Sequence, residues 1–154
     1  MGNRRISVTL SEYVERRNGV PLGARGSLAT MLHRSLGAAT FSGFWRYWNP
    51  IWGYYLSRYV NAPLRTFMPA APAAIATFAA SGAIHDAAVY VVTGSLTFLF
   101  VPWFAVLGLM VVAFARAGLR YEFRAWPVRA AINIALVAGS LGVVTISKRM
   151  LDLS

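Results

Sequence analysis

Residues 73 to 93 form one apolar run broken by a His-Asp pair, His85 and Asp86. At ~1.5 Å per residue a helix of that run reaches roughly across the ~30 Å hydrocarbon core of a bilayer. His85 then sits ~18 Å in, near the midplane or slightly beyond it, where an ionisable side chain costs about 2.5–3.5 kcal/mol on insertion scales. A segment that only had to span would not place two polar residues at that depth. The pair is therefore the first candidate for function.

Two more apolar runs of spanning length come after it, Leu96 to Ala115 and Val128 to Ser147. Only 13% of the 154 residues are charged, against about 25% in soluble domains, and 57% are hydrophobic. Mean hydropathy is +0.52. These features predict an all-α membrane protein with about three transmembrane helices, preceded by amphipathic interfacial helices. The first apolar run lies far from the N-terminus, unlike a cleaved secretory signal. Cysteine is absent, which excludes disulfides, thiolate metal sites and cysteine nucleophiles.

The net charge of +10 is distributed as membrane topology requires. Nine of the fifteen basic residues (Arg4, Arg5, Arg16, Arg17, Arg25, Arg34, Arg46, Arg58 and Arg65) precede the first run. Arg116, Arg120, Arg124 and Arg129 crowd the connection between the second and third, whereas Gly94-Ser95 carries none. The positive-inside pattern predicts a multi-pass protein of the cell (inner) membrane with a cytoplasmic N-terminus. Lys148 and Arg149 then fall outside, a mild violation. Arginines interleaved with aromatics suit anionic lipid headgroups, and nucleic acid is not an expected partner.

These patterns divide the chain into three regions: a polar basic arm (1–40), an aromatic interfacial segment (41–67) and a three-span region (68–154). In the arm, Ser11 to Arg17 suits a short helix that Asn18-Gly19 or Pro21 ends. Gly23, Gly26 and Gly37 predict that the rest is flexible or depends on a partner. The aromatic segment holds three Trp and four Tyr, residues that favour the membrane–water boundary. Pro50 and Pro63 are expected to divide it into two pieces.

The order Phe44-Trp45-Arg46-Tyr47-Trp48-Asn49, then Tyr55-Leu56-Ser57-Arg58-Tyr59-Val60, then Pro63-Leu64, resembles a signature of the membrane-bound O-acyltransferase family. Members place their histidine further along, in an apolar helix after a Ser-Gly-like pair. Phe78-Ala79-Ala80-Ser81-Gly82-Ala83-Ile84-His85-Asp86 fills that slot. Asn in the first motif and an acidic residue after the histidine are closest to the wax-synthase and sterol or diacylglycerol acyltransferase branches. The resemblance covers residues 41 to about 93. Typical members are longer, with many spans upstream that help enclose the substrates, so this chain matches a short form carrying the C-terminal catalytic motifs.

The resemblance implies transfer of a fatty acyl group from acyl-coenzyme A or an acyl carrier protein to a lipophilic hydroxyl. It makes His85 the general base, a role in which histidine commonly serves. Asn49 would position substrate, and Trp45, Arg46, Trp48, Arg58 and Ser81 would bind it. No cofactor is implied; acyl-coenzyme A is a co-substrate. Asp86 points about 100° from His85 on a helix, towards pairing with Arg46 or Arg58. Arg46, Arg58 and Arg65 suit either donor phosphates or ordinary anchoring at the interface. His33 reads as a solvated surface histidine. Two histidines and few carboxylates make a metal centre improbable, since closed sites usually need four ligands. Gly108 and Gly139-Ser140-Leu141-Gly142 allow close helix approach.

Two functions remain open. One is a minimal acyltransferase whose missing walls come from a homo-oligomer or a membrane partner subunit. The other is a non-catalytic subunit that keeps the family's scaffold and binds lipid or a larger membrane complex.

Overall fold

A computed structural model describes residues 8 to 152, whose regular structure is entirely helical. Arg4, Arg5, Leu153 and Ser154 lie outside the described residues. The arm folds into two helices. Helix α1, Leu10–Asn18, starts on a reciprocal cap in which Thr9 Oγ1 accepts from Glu12 N–H and the Glu12 carboxylate accepts from Thr9 N–H. The Thr9 N–H and, after it, the Thr9 hydroxyl, which donates to the same carboxylate, hold the Glu12 carboxyl below its ordinary pKa. Gly19, at φ +80°, ends α1 where the sequence places its stop.

Helix α2, Ser27–Leu36, gives regular structure to the part of the arm expected to be flexible or to depend on a partner. It is held by the last helix of the chain, which hydrophobic periodicity within the arm cannot reveal. Gly37 lets Trp126 pack against the end of α2: a Cβ there would collide with the indole and lie 2.9 Å from the His33 carbonyl. His33 is exposed but stacks on Trp126 at 5.1 Å.

The aromatic segment gives α3, Phe41–Tyr47, capped by Thr40, and α4, Pro50–Leu56, whose first turn takes Pro50. Pro63 does not divide the segment as expected. A π turn, Ser57–Asn61, and a short α5, Ala62–Leu64, continue from α4, with Ala62 N–H donating to the Ser57 carbonyl five residues back. A proline has no N–H and its ring crowds the carbonyl four residues earlier. The widened turn before Pro63 makes room for it.

Three apolar helices complete the chain: α6, Ala70–Thr93, α7, Phe100–Arg116, and α8, Trp126–Asp152. Two of them, α6 and α8, are long and apolar enough to cross a membrane. The second expected span is shorter than its apolar run. Its helix begins at Phe100, not Leu96, and its 17 residues rise ~26 Å.

The cause lies in Asp86. The expected pairing with an arginine does not form; instead its buried carboxylate accepts from Thr97 Oγ1 (2.8 Å) and from the N–H groups of Leu99 (3.1 Å), Phe100 (3.3 Å) and Val101 (2.9 Å). These are the orphan donors of a helix start, satisfied here by a side chain from the preceding helix. Residues 94–99 are thereby drawn into a non-helical connection in which Phe98 takes φ +44°.

The α6–α7 hairpin is tight because Gly82 meets backbone. A Cβ there would lie 2.7 Å from the Phe100 carbonyl carbon and 2.9 Å from Val101 Cα. Gly108 likewise abuts Ile75 and Phe78 of α6, as the small-residue reading anticipated, whereas Gly139 and Gly142 face open space. Ala38, Phe41, Phe44 and Leu107 form the buried centre where α3 packs on α7.

Helix α8 ties both ends together. Trp103 Nε1–H donates to Ser140 Oγ (2.9 Å), and Lys148 Nζ donates to the Thr97 carbonyl. Asn133, fully buried, donates to the Leu36 (2.8 Å) and Ala38 (3.1 Å) carbonyls and accepts from Tyr121 Oη (2.6 Å). Burial pushes the Tyr121 pKa up to about 12, so the hydroxyl keeps its proton and stays a donor.

Removing the Asp86 carboxylate should expose how much the hairpin depends on it. Asp86→Ala should cost about 1.5–3 kcal/mol, the range for hydrogen bonds to a charged group, and lower the thermal midpoint of the purified protein. Asp86→Asn should recover only part, because its Nδ2 cannot accept. An unchanged midpoint in both would take this role away from Asp86.

Candidate functional site

A cavity of about 560 Å³ separates α3, α4 and the π turn from α6 and α7. On α6, Thr77, Ser81 and His85 recur every four residues, so the helical repeat lays them in one polar stripe on an apolar rod. All three line the cavity.

His85 is partly buried against Phe104, Phe100 and Trp52, with ring centroids at 4.9, 5.6 and 6.3 Å. Its Nδ1 lies 2.7 Å from the Ser81 carbonyl oxygen. A carbonyl can only accept, so Nδ1 carries the proton, and in the neutral ring Nε2 is left with a free lone pair. Nε2 has no hydrogen-bond partner among the described residues, which leaves it free to take a proton from a ligand.

The Ser81 hydroxyl accepts from Trp52 Nε1 at 2.9 Å. Trp52 thereby becomes a wall fixed from the opposite side of the cavity. Asn61 on the π turn makes a second such tie, its Nδ2 donating to Thr77 Oγ1 at 3.1 Å.

Asn49 lies where α3 ends and α4 begins, at φ +41°, a left-handed conformation that asparagine tolerates better than most residues. Its Oδ1 caps α4 by accepting from Trp52 N–H (3.2 Å). The amide Nδ2 has no protein acceptor among the described residues and is available to a ligand. Trp45 is wedged edge-on against Phe44 and Phe78 (both 5.1 Å), and Trp48 stacks on Phe44 at 5.4 Å.

Six of the seven residues singled out from the sequence line this one cavity: Trp45, Arg46, Trp48, Asn49, Ser81 and His85. Arg58 does not. Its guanidinium donates to Tyr54 Oη (2.8 Å) and lies over the Tyr54 and Tyr59 rings on the exposed side of the segment. Arg65 is also exposed and away from the cavity. Among the described residues, no three His, Cys, Asp or Glu side chains gather where a metal ion could sit.

Tyr13, Arg17, Trp52, Asn61 and Thr77 also line the cavity, and the sequence motifs do not single them out. The four-residue spacing of Thr77, Ser81 and His85 is a legible signal for Thr77. Tyr13 and Arg17 depend on how the arm docks. No protein-family model, curated protein or solved structure matches this chain.

The Trp52–Ser81 tie can be tested on its own. Ser81→Ala leaves the indole N–H without its acceptor and should cost about 1–3 kcal/mol, read as a lower thermal midpoint and altered tryptophan fluorescence. Gly53→Ala, whose Cβ would meet Tyr13 Oη at an ordinary 3.6 Å, should leave the midpoint unchanged or raise it. Equal midpoints for Ser81→Ala and the unaltered chain would mean the bond adds nothing to stability.

Proposed function

We propose that the chain is a membrane-embedded acyl-transfer protein of the membrane-bound O-acyltransferase type, with His85 as general base. The observation that carries the reading is the state of His85. Nδ1 is committed to the Ser81 carbonyl, so Nε2 is the base, and it belongs to a cavity shared with Asn49 and the Trp45-Arg46-x-Trp48 motif. In the reaction, Nε2 takes the proton of a lipophilic alcohol as its oxygen attacks the thioester carbonyl. The C–S bond then breaks, and the departing thiolate takes the proton back from the imidazolium. Asn49 Nδ2 hydrogen-bonds the thioester and holds it for attack.

The membrane setting is part of the proposal. Only 17% of the apolar window of α6 and 22% of that of α8 is buried, whereas the core helix of a soluble protein would be mostly covered. Three crossings, with α7 as the short one, place the α6–α7 connection outside and the α7–α8 connection in the cytoplasm. The chain has no cysteine, so single introduced ones report cleanly. Ser95→Cys should react with an impermeant thiol reagent in intact cells, and Arg120→Cys only after lysis. Labelling of both in intact cells contradicts this topology.

A second reading, a non-catalytic membrane subunit, draws on a specific fact. Asn49 already caps α4 and His85 already binds the Ser81 carbonyl, so both residues have structural roles without any reaction. One experiment separates the two. Positioned acid–base groups contribute about 10²–10⁴ in rate. His85→Ala should therefore fold and assemble normally while losing transfer of labelled acyl groups from acyl-coenzyme A to long-chain alcohols by that factor. Asn49→Ala should lose less. If His85→Ala instead loses assembly, and the unaltered chain transfers no acyl group, the subunit reading takes its place.

A further inference from the structure

Arg17 and Arg46 come from helices α1 and α3, yet both line the same cavity. Arg17 is half-buried, lies over the Tyr13 ring at 4.5 Å, and donates from Nη1 to the Arg46 backbone carbonyl at 3.1 Å. Arg46 is exposed, and its guanidinium makes no hydrogen bond, ion pair or ring contact among the described residues. The one ion pair among those residues, Arg120–Glu122, lies elsewhere, and no Asp or Glu lines the cavity. Two cations thus line one cavity without a carboxylate to balance them, and Trp52, Phe78 and Phe104 give that cavity an apolar part. Guanidinium groups fit phosphate oxygens by paired N–H donors.

We propose that Arg17 and Arg46 form an anion subsite that takes the phosphate group of an amphiphile whose apolar part lies among Trp52, Phe78 and Phe104. This deepens the acyl-transfer reading by assigning the head of the ligand to a residue of the arm, in place of Arg58 and Arg65. The phosphate can belong to the diphosphate of a coenzyme A thioester or to the head group of an anionic phospholipid.

The test measures binding by quenching of tryptophan fluorescence in phosphatidylcholine nanodiscs, since Trp45, Trp48 and Trp52 line the cavity. Palmitoyl-coenzyme A should bind the Arg17→Gln/Arg46→Gln chain at least tenfold more weakly than the unaltered chain. Palmitoyl-N-acetylcysteamine, a thioester without phosphate, should bind both equally. Arg58→Gln should match the unaltered chain. Arg17→Lys/Arg46→Lys should recover only part of the affinity, because Lys keeps the charge but not the paired donors. If phosphatidylglycerol in the disc displaces palmitoyl-coenzyme A from the unaltered chain, the subsite belongs to a lipid head group as well as to the thioester.

Equal palmitoyl-coenzyme A affinity in the unaltered and double-Gln chains overturns the proposal, as does binding of neither phosphate-bearing probe. Loss of binding in the double-Gln chain, with no acyl transfer by the unaltered protein, leaves the subsite standing and removes the enzyme reading. Transfer that depends on His85, with palmitoyl-coenzyme A affinity unchanged in the double-Gln chain, does the reverse.

Discussion

The carboxylate of Asp86 organises the part of the molecule on which the site depends. A helix start leaves N–H groups without partners, and in an apolar hairpin there is little else to satisfy them. Asp86 takes three of these donors and the Thr97 hydroxyl, which decides where α7 begins and how its first turns face α6. Those first turns carry Phe100 and Phe104, the rings that flank His85. Two adjacent residues in one apolar run therefore divide the work by the 100° between them: one holds the hairpin, the other faces the cavity.

The opposite end of the bundle rests on Asn133. Its single amide satisfies two carbonyls at the turn between α2 and α3 and accepts from Tyr121. Through it, α8 holds the arm in place without touching the cavity. With α2 fixed, α1 comes to rest against α4, Tyr13 edge-on to Tyr54 at 5.4 Å, and this is what brings Arg17 to the cavity wall. The cationic wall is thus a product of long-range docking and not of local sequence.

That distinction sets what can be read from the chain before folding. Helix α1 is legible because its stop, Asn18-Gly19, is local chemistry. The lengths of α6 and α8 come from apolar runs, and the gathering of Trp45, Trp48, Asn49 and His85 around one cavity agrees with the order of the motifs. The start of α7 is not legible, because hydropathy treats Leu96 to Leu99 as continuous with the helix beyond them, while a carboxylate from another helix ends the run early. Nor is the outward position of Arg58: an arginine between tyrosines carries the same signal whether it faces a ligand or stacks on Tyr54. Helix α2 escapes a local reading because its partners, Trp126 and Asn133, lie more than ninety residues away.

The π turn before Pro63 has a consequence for how this segment can vary over evolution. Asn61 reaches Thr77 across the cavity from a turn one residue wider than an α-helix allows. A single-residue deletion there would return the segment to ordinary pitch and swing everything after it by about 100°. Asn61 would then lose its bond across the cavity, and the Pro63 ring would run into the carbonyl four residues before it. Apart from Asn61, no side chain of Ser57–Asn61 makes a hydrogen bond across the cavity among the described residues, so the number of residues constrains this stretch more than most of their identities. Length, more than identity, is what the bond across the cavity demands of this stretch.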